Sequence, residues 1–168
     1  MVIDELQKLV VAVRVLAEQG NPRAQHNLGA LYMEGKGVKQ DSAEAARWFR
    51  LAAEQGDHLS QHNLGILLLR GVGTPADPGA AFAWFSRAAE RGNPRSLFSL
   101  GGMLLEGLGV EQDVAQAYMW FCLAAEESPP EARHETETVR DHVAALLSPE
   151  QIEPIHARAR QWRLERGL

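Results

Sequence analysis

A 36-residue period organises this chain and limits what it can fold into. Three of its four tryptophans, Trp48, Trp84 and Trp120, are each 36 residues from the next. The rest of the sequence keeps that register. Leu28-Gly29 becomes Leu64-Gly65 and Leu100-Gly101, and Gly35/Gly37 becomes Gly71/Gly73 and Gly107/Gly109. Asp41, Asp77 and Asp113 align, as do the runs beginning Ala52-Ala53, Ala88-Ala89 and Ala124-Ala125. Written as blocks 22–57, 58–93 and 94–129, the first two agree at 16 of 36 positions and the last two at 14. Chance gives about two at average amino-acid usage. Such a period marks a chain built of stacked supersecondary units, each burying its apolar face on the next.

Each block predicts two helices. In the first, Ala24, Leu28, Leu31 and Tyr32 fall on one helical face, and Gly35 supplies the left-handed residue that ends the helix. A second glycine two residues on allows a tight reversal. Asp41 is a favoured N-cap for the second helix, and Glu44 three residues later predicts a capping-box-like pair, repeated as Asp113 and Gln116. In the middle block Pro78 follows Asp77, at the first helical position where proline is well placed. Ala45, Trp48, Phe49, Ala52 and Ala53 then form a buried stripe, in which alanines permit close approach and the aromatic pair fills volume. Gly56 or Gly92 ends this helix, and Ser128 stands there in the third block.

The ends break the pattern, as solenoid caps do. Residues 3–21 carry only a second helix, with Ala12 and Val13 at the Trp-Phe positions, so this half-repeat packs on one side. After Pro129-Pro130 the period is lost, and residues 130–168 read as capping helices. One is expected at about 131–147, and a last one is opened by Ser148-Pro149-Glu150-Gln151. Pro154 lies deep enough in it to predict a kink or a delayed regular start, because an interior proline costs about 3 kcal/mol.

The block Ala24-x3-Leu28-Gly29-x2-Tyr32-x2-Gly35-x-Gly37-Val38-x2-Asp41-x3-Ala45-x2-Trp48-Phe49-x2-Ala52-Ala53-x2-Gly56 closely resembles the Sel1-like repeat, a relative of the tetratricopeptide repeat. The resemblance extends over residues 3–129, and Leu147-Ser148-Pro149-Glu150-Gln151-Ile152 looks like the closing segment of bacterial members. Leu68 and Leu104 in place of Tyr32, Thr74 in place of Val38 and Ser128 in place of Gly56 are modest departures. The resemblance implies an all-α fold, a right-handed α/α solenoid with helical caps, here a single domain over 1–168. It further implies a scaffold for protein–protein interaction, with the partner, an unidentified protein or peptide, left open.

Composition narrows the function classes. With 17 lysines and arginines against 22 acidic residues, the net charge of −5 excludes a generally basic nucleic-acid binder. No run approaches the roughly 18–20 apolar residues of a membrane span. Asp4 and Glu5 stand where a signal peptide needs positive charge, so the cytoplasm is the expected compartment, a secreted or periplasmic chain without its signal being the alternative. The one cysteine, Cys122, excludes an intramolecular disulfide framework. Disulfide-rich relatives bind or process β-lactams, and this chain lacks both their cysteines and a Ser-x-x-Lys. No Gly-x-Ser-x-Gly, His-Glu-x-x-His or Walker loop is present, so no catalysis and no cofactor are expected.

Three further features carry chemistry. His58 and His62 are i, i+4 beside Asp57 and could share a zinc ion, or His58 is simply an exposed helix-start residue. Arg158, Arg160, Arg163 and Arg166 make the last helix basic, either a solvated end suited to the helix dipole or a surface for an acidic partner. Cys122 aligns with Arg50 and Ser86, which predicts a half-exposed thiol. The sharpest set is a ladder on the first helices, away from the Leu28/Tyr32 face: His26, Ala30 and Met33, then His62, Ile66 and Leu69, then Phe98, Gly102 and Leu105. In superhelices of the resembling family the first helices line the concave side. The ladder therefore predicts either a groove for a peptide or helix, anchored by Leu69, Phe98 and Leu105, or packing between successive repeats. The apolar ladder or the open end of the solenoid could alternatively serve homo-oligomerisation.

Overall fold

The protein's structure, a computed structural model, describes residues 2–168, with side chains from Glu5 onward. Met1 and the Asp4 side chain, part of the expectation for the leading segment, lie outside the described residues. Helices make up the regular structure of the described residues: α1 (Val2–Glu18), α2 (Pro22–Glu34), α3 (Ser42–Glu54), α4 (His58–Arg70), α5 (Pro78–Ala89), α6 (Pro94–Glu106), α7 (Val114–Glu127), α8 (Pro130–Ala144) and α9 (Pro149–Arg166). The chain divides into two compact units, one ending at Trp84 and one running Phe85–Leu168, with the division falling within the residues of α5. In the first, α1 packs on α2, α2 on α3 and α3 on α4. In the second, α6, α8 and α9 all pack on α7.

The turn inside each repeat is set by its glycine and aspartate. Gly35, Gly71 and Gly107 sit at φ +67°, +67° and +69°, and their N–H groups donate to the carbonyls of Leu31, Leu67 and Met103. Only glycine adopts that conformation without a Cβ penalty. Six residues on, an aspartate carboxylate caps the second helix, Asp41 accepting from the N–H groups of Ala43 and Glu44, Asp77 from Ala80 and Asp113 from Gln116. The expected capping box is only half formed. Each aspartate's own N–H is taken by the last turn of the first helix, donating to the carbonyls of Tyr32, Leu68 and Leu104 at 2.9–3.0 Å. Glu44 is thereby released, and it pairs with Arg47 instead.

The glycine of each Leu-Gly pair sets the spacing between the two helices. A Cβ on Gly29 would lie 2.8 Å from the Phe49 ring, and one on Gly101 would lie 2.8 Å from the Phe121 ring. The second-helix aromatic rests directly on the first-helix backbone, and both rings are buried. The second turn glycine meets the preceding repeat. A Cβ on Gly73 would overlap the Ser42 carbonyl at the start of α3, and one on Gly37 would crowd Leu6 and Val10 of α1. Leu6 is 36 residues before Ser42, so the turn after α2 meets α1 at the register where the turn after α4 meets α3.

The trailing cap corrects several expectations. Cys122 is buried, only 6% exposed, because α8 and α9 cover the side of α7 that would otherwise face solvent. The helix expected at about 131–147 runs Pro130–Ala144. Pro154 neither delays nor interrupts α9, which is continuous from Pro149, with the Ser148 N–H donating to Gln151 Oε1 at 2.8 Å. Arg163 is not a solvated end. It bridges Glu126 at 2.7 Å and Glu127 at 3.0 Å, while Trp162 meets Trp120 edge-on at 5.4 Å, and together these fasten α9 to α7.

Gly29→Ala would add about 1 kcal/mol to the stability of an isolated helix. Here it displaces the Phe49 ring, and overpacking of this kind costs about 1–3 kcal/mol. Urea unfolding should show a lowered midpoint for Gly29→Ala, with partial recovery on adding Phe49→Leu. A raised midpoint would contradict the assigned contact.

Candidate functional site

The first helices of repeats one and two lie against α3 so that a groove opens between them. Ala30, Met33 and Glu34 from α2 and Asn63, Ile66 and Leu67 from α4 line a cavity of about 230 Å³. The buried ring of Phe49 contributes the floor. The spacings i, i+3, i+4 on both helices place these side chains on facing stripes. Met33, Asn63 and Ile66 are half-buried, Leu67 is buried and Glu34 is exposed at the rim. Most of the lining is apolar, and Asn63 brings an amide with both donor and acceptor capacity into it.

Of the predicted ladder, Met33 and Ile66 meet in this groove, together with Ala30. The other members do not join them. His26 is half-buried and bonded across the repeat boundary, its Nδ1 2.9 Å from Ser60 Oγ and 3.4 Å from Asp57 Oδ2, with its ring 5.6 Å from that of Phe49. His62 is buried. Leu69, Phe98 and Leu105 are half-buried, and Phe98 packs edge-on against Phe121 at 5.1 Å. Of the ladder, then, Met33 and Ile66 line this groove, while His26 and Phe98 make contacts between helices. Phe49, Leu67, Glu34 and Asn63 belong to the groove lining that the ladder left out. The register equivalents of Ala30 and Met33 are Ile66 and Leu69, so the repeat alone does not point to Asn63, and the ring under the groove follows only from the Gly29 contact.

Two groupings resemble chemical sites and their geometry explains them otherwise. Ser60, Asp57 and His26 share one imidazole nitrogen, Ser60 is fully buried, and Asp57 already accepts the Ser60 N–H at 2.8 Å as N-cap of α4. A base-activated hydroxyl needs the carboxylate and the hydroxyl on opposite nitrogens. In the second unit a cavity of about 380 Å³ between α7, α8 and α9 brings together Tyr118, Cys122, Arg140 and His156, with Glu126 and Asp141 on its wall. The Tyr118 hydroxyl is 3.0 Å from His156 Nε2, and Arg140 pairs with Asp141 at 2.8 Å. Burial and the neighbouring thiol push Tyr118 up to about 12, and burial pushes Cys122 up as well. The thiol is held in its protonated, weakly nucleophilic form. His58 is half-buried and His62 buried, and no cluster of three or more His, Cys, Asp or Glu among the described residues could hold a metal ion.

A sequence model described as the Sel1 repeat matches residues 22–57, 58–93 and 94–129. No curated protein matches the chain. Among solved structures, that of a Sel1 repeat protein from Oxalobacter formigenes is similar at 34% identity and a TM-score of 0.71, over 75% of this chain and 52% of that one. That of c5321, a protective antigen present in uropathogenic Escherichia coli strains displaying an SLR fold, is similar at 28% identity and a TM-score of 0.67, over 92% of this chain and 40% of that one. The chain therefore spans about half of the first and two fifths of the second. Its fold class is that of these helical solenoid proteins.

The His26 joint makes stability depend on pH. Burial lowers the His26 pKa from 6.5, Asp57 opposing this in part and His58 adding to it. The unfolded chain therefore takes up this proton first, and its contribution is present above about pH 6.5 and lost as pH falls from there through the folded value. Urea unfolding at pH 7.5 and 5.5 should show a smaller loss on acidification for His26→Gln than for the parent chain. Equal losses would remove the assignment.

Proposed function

The chain belongs to the Sel1 repeat family, and on that footing we propose that it is a non-catalytic interaction scaffold that binds a protein segment in the groove between α2 and α4. Sel1 repeat proteins are in general protein-interaction scaffolds, and none of the described helices is long and apolar enough to cross a membrane. The observation that carries the proposal is the meeting of Met33 and Ile66 over the Phe49 ring, in a cavity with room for an inserted side chain. An apolar anchor from the partner displaces water from that floor, and burying one Leu- or Phe-sized side chain is worth about 1.5–3 kcal/mol. Asn63 beside it can bond the partner's backbone, which fixes register without demanding a particular sequence. Glu34 at the rim favours a basic neighbour.

No observation in the structure favours a β-lactam-binding or hydrolytic reading, since Cys122 is a single, protonated, buried thiol. In this proposal the chain works in the cytoplasm. The test is selection of short peptides from a displayed random library, followed by titration of synthetic hits. Ile66→Arg and Met33→Glu should weaken binding at least tenfold while helicity and unfolding midpoint change little. Phe98→Ala and Leu105→Ala, outside the groove, should leave affinity within about threefold. Selected peptides that bind all four variants equally would reject the groove as the site.

A further inference from the structure

We propose that the cavity between α7, α8 and α9 binds a small aromatic monocarboxylate, independently of any protein partner in the α2–α4 groove. Its volume of about 380 Å³ falls at the lower end of small-molecule pockets, roughly 300–1,000 Å³. Three helices hold it open, because α8 and α9 both pack on α7 and the Arg163 bridges fasten α9 there. Repeat stacking does not call for it. Tyr118 stands at the register position of Ala46 and Phe82, and Cys122 at that of Arg50 and Ser86. Closing the end of a solenoid needs only apolar surface to bury. Here a phenol, an imidazole and a guanidinium are brought to one space instead.

The Arg140 guanidinium is the anion's partner. Its present one, Asp141, is the next residue in the chain, and Nε and Nη2 both reach the single oxygen Oδ1 at 2.8 Å. A guanidinium fork matches two parallel oxygens, so this pairing uses half of what the fork offers. The Asp141 side chain is 66% exposed against 29% for Arg140, so water can take over that carboxylate when a ligand arrives. Arg160, at the rim, pairs with Glu153 at 3.1 Å, and both side chains are exposed. Such a surface pair contributes little and releases its guanidinium readily. Glu126, the other carboxylate on the wall, is already neutralised by Arg163 at 2.7 Å.

The lining also selects the body and the charge of the ligand. Tyr118, Cys122 and Ala159 are buried, which puts a largely apolar floor beneath the charged rim. The Tyr118 and His156 rings are 5.7 Å apart and tilted by 34°, so an inserted ring meets aromatic faces and edges. The Tyr118 hydroxyl lies 3.0 Å from His156 Nε2, and that bond holds both rings in place. Two arginines against two carboxylates leave the lining without net formal charge. It therefore accepts a monoanion that replaces Asp141 and disfavours a phosphate dianion.

Benzoate is the probe. Methyl-resolved NMR of the full chain should show saturable shifts at Ile155 and Met119, the sequence neighbours of His156 and Tyr118, with a Kd of about 1 mM or tighter. Benzamide, similar in shape but uncharged, should bind at least tenfold more weakly, and so should inorganic phosphate. Arg140→Gln should weaken benzoate at least tenfold, as should Ala159→Leu, which fills the floor. Cys122, the one cysteine, gives a readout that needs no variant. Saturating benzoate should slow its alkylation by iodoacetamide at least threefold in the parent chain, and benzamide should not. Shifts that rise linearly with benzoate overturn the proposal. So does benzamide or phosphate binding as tightly as benzoate, an affinity unchanged in either variant, or alkylation that benzoate leaves unaltered.

Discussion

The rest of the structure depends on a ring lying on a backbone. Phe49 over Gly29 and Phe121 over Gly101 bring two helices to a distance that no side chain between them would permit. That close approach fixes where each turn must close, and hence why a left-handed glycine and a capping aspartate stand at constant offsets. It also fixes the floor of the groove, since the Phe49 ring that touches Gly29 lies beneath Met33 and Ile66. Stability and the candidate site share one residue. In the proposed function the binding surface thus lies on a part of the repeat held by that contact, which keeps the entropic cost of ordering it low.

The repeat's short-range parts were legible in the sequence, because each answers to a local rule. A glycine at the first-helix end, an aspartate six residues later and an apolar stripe at helical spacing need only their own neighbours to be understood. Parts that depend on a covering element were not. Cys122 shares a register position with solvent-facing Arg50, yet α8 and α9 bury it, and those helices lie outside the repeat. A signal was nevertheless present: Met119 and Cys122 stand where the first repeat has Arg47 and Arg50, so the outward side of α7 had already turned apolar. Arg163 was read as a charged tail for the same reason, because its glutamate partners are 36 and 37 residues away on α7.

The ladder shows the limit of reading one helix face at a time. Projection found Ala30, Met33 and Ile66 correctly as neighbours, but counted His26 with them. His26 is turned to Ser60 of the next repeat and to Asp57, the last residue of its own, and serves the joint between repeats rather than the groove. Nothing in the histidine's own spacing separates the two roles. What separates them is the N-cap at Asp57, whose carboxylate stands within reach only once the second repeat is stacked. The zinc reading of His58 and His62 meets a related limit, since i, i+4 spacing says nothing about burial and His62 is enclosed.

The central claim is that the surface between α2 and α4 is where this scaffold meets its partner. Methyl-resolved NMR of the chain labelled at methionine and isoleucine, titrated with a peptide chosen by selection, addresses it most directly. The account predicts that the Met33 and Ile66 methyl signals move first and farthest, while Met103 and Met119 in the second unit hold still. Shifts confined to Met119 and to Ile155, the residue beside His156, with Met33 and Ile66 unmoved, would place the partner at the α7–α9 cavity and contradict it.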